Sequence, residues 1–227
     1  MAVSTADITS ASTSGSAVTM LTTPAFTITS NTNRAGFIGL SFNNNAISAL
    51  TGSIGGTAGS AISGTDSGTT AVPRSVMFGV TAPPSGSQTA TASWTGSSNA
   101  IIGATTTSGV DQTTSFNNGT FATGTATPSS VAITSTSGDL TVDTEADASG
   151  TLPSSPTQTS LWVTFTGAMD GAASRGPGTG TTTHQWTVGG TWASSGANFS
   201  QAAGGVPDNI GSANITSSPG RFIGWTA

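Results

Sequence analysis

The chain has 227 residues, a net charge of −5 and only 6% charged residues, against roughly 25% in an ordinary globular domain. Four arginines, no lysine and an acidic balance exclude the basic face that nucleic-acid binding demands. The absence of cysteine excludes disulfides and thiolate metal sites, a single histidine argues against zinc, and no run of 18 apolar residues offers a membrane span.

Taken from the N-terminus, MAVSTADITSAS has neither a basic start nor an apolar core, so no secretory signal is expected. Residues 1–16 carry almost no large apolar side chain and read as an N-terminal arm, expected to lie against a neighbouring subunit. Residues 17–227 read as one β-sandwich domain. Period-two alternation then sets one face of each strand: Phe26 and Ile28, followed by Ile38, Leu40 and Phe42. The stretch 52–70 reads as a low-complexity loop or a loosely patterned hairpin. Beyond it come Val76, Phe78 and Val80, then Ala90, Ala92 and Trp94. Val131 and Ile133 follow, then Leu140 and Val142, then Leu161, Val163 and Phe165 with Trp162 on the opposite face. Trp186 and Val188 precede a last strand around Phe222, Ile223 and Trp225.

Turn chemistry (APPSGS, FNNGT, TLPSSP, RGPGTG) separates these runs. Roughly ten strands of this kind predict an all-β fold, a two-sheet antiparallel β-sandwich of jelly-roll type. Without lysine to guard open edges, some sheet edge is expected to be covered by the chain's own loops or by a partner.

Several stretches invite a chemical reading. In GDLTVDTEAD, Asp139, Thr141, Asp143, Glu145 and Asp147 share one face, with Leu140 and Val142 on the other. Carboxylates in a row suit Ca²⁺, but a flat strand splays them, so a solvated outer face is expected. Two acids across a cleft would serve glycoside hydrolysis, yet no aromatic-lined acidic pair is visible. His184 has serines in abundance but no GxSxG elbow, and reads as a hydrogen-bonded or half-exposed strand residue at a sheet end. Trp94 and Trp186 are expected in the core, Trp162 on an outer contact face, and a row of exposed tryptophans would bind carbohydrate. The glycosylation sequons at Asn118, Asn198 and Asn214 are chance matches in so Asn- and Thr-rich a chain. No catalytic, cofactor-binding or metal-binding residue is assigned.

The order NRAGFIGLSF, VMFGVTAPPSGSQTATASW, GVDQTT and VAITSTSGDLTVD, across roughly residues 30 to 145, resembles a β-sandwich family recurrent in bacterial surface proteins and tailed-phage structural proteins. Ser115 stands where that family usually has proline, and the closing GRFIGWTA has no counterpart in it. The resemblance implies a fold and carries no catalytic motif. GVDQTT (109–114), with Asp111 and Gln112, is therefore expected to be a structured turn in which Asp111 and the threonine hydroxyls bond local amides. The expected function is a non-enzymatic structural protein of a virion, a capsid decoration (cement) or tail component. Its partners would be copies of itself and a major capsid or tail protein, without cofactor, nucleic acid or membrane. The alternatives are an extracellular filament or adhesin subunit and a carbohydrate-binding module.

Overall fold

A computed structural model describes residues 2–43, 46–68 and 72–203; the expected last strand at Phe222, Ile223 and Trp225 lies outside them. Nine strands fill the first half: β1 (Thr9–Thr22), β2 (Phe26–Ile28), β3 (Ala35–Phe42), β4 (Ser48–Ile54), β5 (Thr57–Ala58), β6 (Ser60–Ala61), β7 (Arg74–Thr81), β8 (Gly86–Gln88) and β9 (Ala90–Thr107). Seven follow: β10 (Phe116–Gly124), β11 (Ser129–Thr134), β12 (Leu140–Asp147), β13 (Thr159–Phe165), β14 (Asp170–Pro177), β15 (Thr181–Trp186) and β16 (Trp192–Phe199). The described residues are all-β with antiparallel pairing, and the sixteen strands exceed the expected ten because short strands such as β5, β6 and β8, and strands of mostly small or hydroxyl-bearing residues such as β1, β14 and β16, show no alternation of large apolar side chains.

The first sheet runs β5-β4-β9-β3-β7-β6, with β1 also on β9. The long β9 pairs by its first part with β4 and the end of β1, and by its second part with β3 and the start of β1. Bulges in β1 around Val18 and in β4 between Ser48 and Thr51 bend the sheet along that line. The bend wraps it around a core of Ile38, Leu40, Phe42, Val76, Phe78 and Val80, with Ile54 and Trp94 facing them. Strands β2 and β8 pair with each other and add Phe26 and Ile28 to that core. The hairpin reading of 52–70 holds for β4 and β5, which turn through Gly55 and Gly56.

The other face of β3 and β7, with Phe37 and Met77, packs on the second sheet, ordered β10-β16-β12-β14-β13. Phe37 sits 5.5 Å from the Trp162 ring and 6.1 Å from that of Phe199. Strand β3 is consequently buried at all eight positions, and each large side chain removed from water contributes about 1.5–3 kcal/mol. A third layer, the pair β11–β15, covers the outer face of the second sheet. The arrangement is sandwich-like, with its central strands enclosed from both sides.

Two expectations are corrected here. The boundary at residue 16 falls inside β1, which pairs with β9 from Thr9 onward, and Val3 is buried in the core between the sheets. The N-terminal residues join their own sheet because serine and threonine suffice for backbone pairing. Trp162 is buried rather than outward, while Val163 and Phe165 are exposed. The alternation itself holds, with Trp162 on the face opposite Val163 and Phe165, but the face turned to the core is the one that carries the single tryptophan.

Candidate functional site

The acidic strand is not a solvated face. β12 lies between β16 and β14 in the second sheet, and the β11–β15 pair closes over its outer side. Asp139, Thr141, Asp143, Glu145 and Asp147 are therefore all buried. Burying carboxylates is costly unless donors replace water, and for most of these groups the fold supplies them.

Asp143 is the centre of the arrangement. Its Oδ1 accepts the Ser174 amide at 2.5 Å and the Ser174 hydroxyl at 2.8 Å, and its Oδ2 accepts the Trp186 indole N–H at 2.8 Å. His184 Nδ1 lies 2.8 Å from Ser174 Oγ and 3.5 Å from Asp143 Oδ1. Thr141 gives its hydroxyl proton to the Gly176 carbonyl at 2.9 Å, so it accepts from His184 Nε2 at 2.9 Å, which places a proton on that nitrogen. Strands β12, β14 and β15 are tied together through these side chains.

Around this centre the other acids differ. Asp139 accepts from the Thr136 amide and hydroxyl, the Asn198 side chain and the Gln201 amide. Asp147 accepts from the Ser149 amide and hydroxyl and the Gly189 amide. Neither oxygen of Glu145 makes a hydrogen bond of standard geometry. Burial first, then the Asp143 charge, pushes its carboxyl well above the ordinary range, and the weak pull of the Ser129 and Ser194 hydroxyls only partly offsets this. Asp170, the cross-strand neighbour of Asp147, is likewise raised by burial and then by the Asp147 charge, and its Oδ2 lacks a partner.

The fold thus brings Ser174, His184 and Asp143 together, which sequence reasoning did not. The only available signal was a polar residue at an alternate position of an otherwise small, apolar strand, GAASRG. The connectivity differs from that of an acyl-transfer triad, in which histidine stands between nucleophile and acid. Here the hydroxyl stands between the acid and the histidine, and all three residues are fully buried. No group of three or more His, Cys, Asp or Glu side chains among the described residues is placed to hold a metal ion. What the cluster does is fix the β11–β15 layer on the sheet beneath it.

GVDQTT forms a connection between the two sheets. Asp111 Oδ1 accepts the Thr113 and Thr114 amides at 2.7 and 2.9 Å, and those bonds hold its carboxyl below the usual range. The Gln112 amide donates to the Arg34 and Val110 carbonyls, and the Asp111 amide to the Ser200 carbonyl. The hydroxyl that joins in is that of Ser115, which donates to the Asp111 carbonyl, rather than a threonine. RGPGTG is only half a turn: Arg175, Gly176 and Pro177 end β14, and Gly178, Thr179 and Gly180 turn the chain into β15. Trp94, Trp162, Trp186 and Trp192 are all buried; Trp225 lies outside the described residues. No family model, curated protein or solved structure matches the chain.

Proposed function

We propose that the chain is a non-enzymatic structural protein of a phage particle, a capsid decoration or tail component of jelly-roll type that acts through subunit and lattice contacts. The observation that carries this reading is where the charge lies. Asp139, Asp143, Glu145, Asp147 and Asp170 are buried, and Arg74 is buried in a two-bond pair with Asp66. Among the described acids only Asp7, Asp66 and Asp111 reach solvent. The surface is thus poorer in charge than even the composition implies, and like copies meet with little repulsion.

The resemblance of the NRAGFIGLSF to GDLTVD order to phage structural sequences supports the same reading. The carbohydrate-binding alternative drew on exposed tryptophans, and the four described ones are inside. The test is mass spectrometry of density-purified particles from the organism that encodes the chain. The chain is expected there in many copies per particle. Its absence from particles, with recovery from cell-surface fibres or as free protein, would overturn the proposal.

A further inference from the structure

We infer that the free edge of β10 is a self-association surface, on which β10 of a second copy adds as an antiparallel strand. The inference names the self-contact of the function proposed above and rests on that reading for its biological purpose. It starts from how the fold treats its sheet edges. An open edge offers unpaired amides and carbonyls to any passing strand, and natural sheets cover, charge or bulge such edges.

The covered edges show the contrast. At β13, the Ser10 and Ser14 hydroxyls donate to the Leu161 and Phe165 carbonyls at 3.1 and 2.7 Å, and Ser12 meets Thr164 at 2.6 Å. At β7, the short β6 pairs first, and then the Ile62 and Ser67 amides donate to the Met77 and Ser75 carbonyls, each at 3.0 Å. Among the described residues, β10 ends its sheet with β16 as its sole strand partner. Its first half is guarded by a bulge between Asn117 and Thr120, a left-handed Asn118 and the Ser63 carbonyl against Gly119. Over 120–124, TFATG, pairing with β16 is regular and no described residue covers the outer side.

That segment carries no charge and no proline, and Phe121 is 47% exposed. Beside its end runs a groove of about 280 Å³ lined by Val72, Pro73, Thr123 and Trp192 among others, with Val72 44% exposed. An open edge beside a partly apolar groove suits an added strand, whose main chain supplies hydrogen bonds and whose alternate side chains fill the groove.

The occupant is a second copy, on grounds of complementarity. A two-fold contact sets residue i against j and j against i, so any charge on the strand tends to meet its own sign. TFATG has none to oppose. An antiparallel edge is also its own hydrogen-bonding complement: a register centred on Ala122 places Phe121 opposite Thr123 on both sides. Stable interfaces bury roughly 1,200–2,000 Å², and a five-residue edge with its groove is smaller than that, which makes the contact a weak one. The expected dimer is concentration-dependent, as suits a contact repeated across an assembly.

The test is sedimentation equilibrium of the full chain over a wide concentration range, with Phe121→Lys and, on the opposite edge of the same sheet, Phe165→Lys. Wild type and F165K should form dimers of equal strength. F121K, with unchanged circular dichroism and thermal unfolding, should dimerise about tenfold or more weakly; Thr123→Lys repeats the test at a second exposed position. A wild type that stays monomeric overturns the inference. So does dimerisation that F121K and T123K leave intact, or that F165K abolishes. A monomer found in particles would fail this inference alone, and a β10 dimer absent from particles would fail the proposed function alone.

Discussion

Glu145 is the residue whose chemistry departs furthest from the unfolded chain. Burial raises its carboxyl, so the folded protein holds a proton that the unfolded chain releases near pH 4.5. Stability from this group is complete below that pH and declines as pH rises toward the folded value. Glu145→Gln, which cannot ionise, should therefore unfold at a higher temperature than wild type at pH 7, with the difference vanishing near pH 4. Each tenfold in proton affinity corresponds to about 1.4 kcal/mol, and thermal unfolding across that pH range measures it. Asp143, unlike Glu145, has three donors aimed at its carboxyl oxygens. Asp143→Ala leaves the Trp186 indole, the Ser174 amide and the Ser174–His184 pair without their acceptor. A loss of about 3–5 kcal/mol is expected in denaturant unfolding; a change under 1 kcal/mol would show that the cluster does not hold the β11–β15 layer.

Strands that carry large apolar residues were the legible part of the sequence, and their surroundings were not. Alternation located Ile38, Leu40 and Phe42 and Val76, Phe78 and Val80 on one buried face, as the curled sheet has them. It could not tell that Phe37 and Met77 on the reverse face are buried too, because a strand's own pattern does not say what covers it. The same blindness turned the acids of β12 into a solvated face, although the β11–β15 pair covers it. In β13 the alternation was read correctly but its inner face was not: three apolar residues, Leu161, Val163 and Phe165, outweighed the one tryptophan that the core takes. The partner of Trp162 across the sheets was equally hidden: its indole rests on Gly103, where an added Cβ would lie 2.0 Å from the ring. Gly103→Ala should then cost about 1–3 kcal/mol, read as a lower denaturation midpoint with the fold retained. A neutral result would mean that the ring has room to shift.

For the molecule as a whole, the N-terminal residues belong to the folded unit. Val3 is in the core between the sheets, its amide donates to the Gly138 carbonyl, and Ser4 bonds Ser108. Removing residues 1–16 deletes these contacts and half of β1, exposing the second part of β9 along one side. The truncated chain is expected to unfold at least several degrees lower or to fail to fold, as circular dichroism melting would show. Unchanged melting would return these residues to the role of a detachable arm.

The pairing of β1 with β9 also sets an order of events during synthesis. Thr9 meets Thr106 and Thr22 meets Thr91, so the first strand leaves the ribosome long before its ladder partner exists. At 5–20 residues per second that wait is about 4 to 20 s. A strand rich in valine and isoleucine would be a hazard over such an interval. TSASTSGSAVTMLT has only Val18, Met20 and Leu21 as large apolar residues, all near its end. Its hydroxyl-rich makeup, which hid it as a strand, lets a nascent chain carry it through translation with little to stick to.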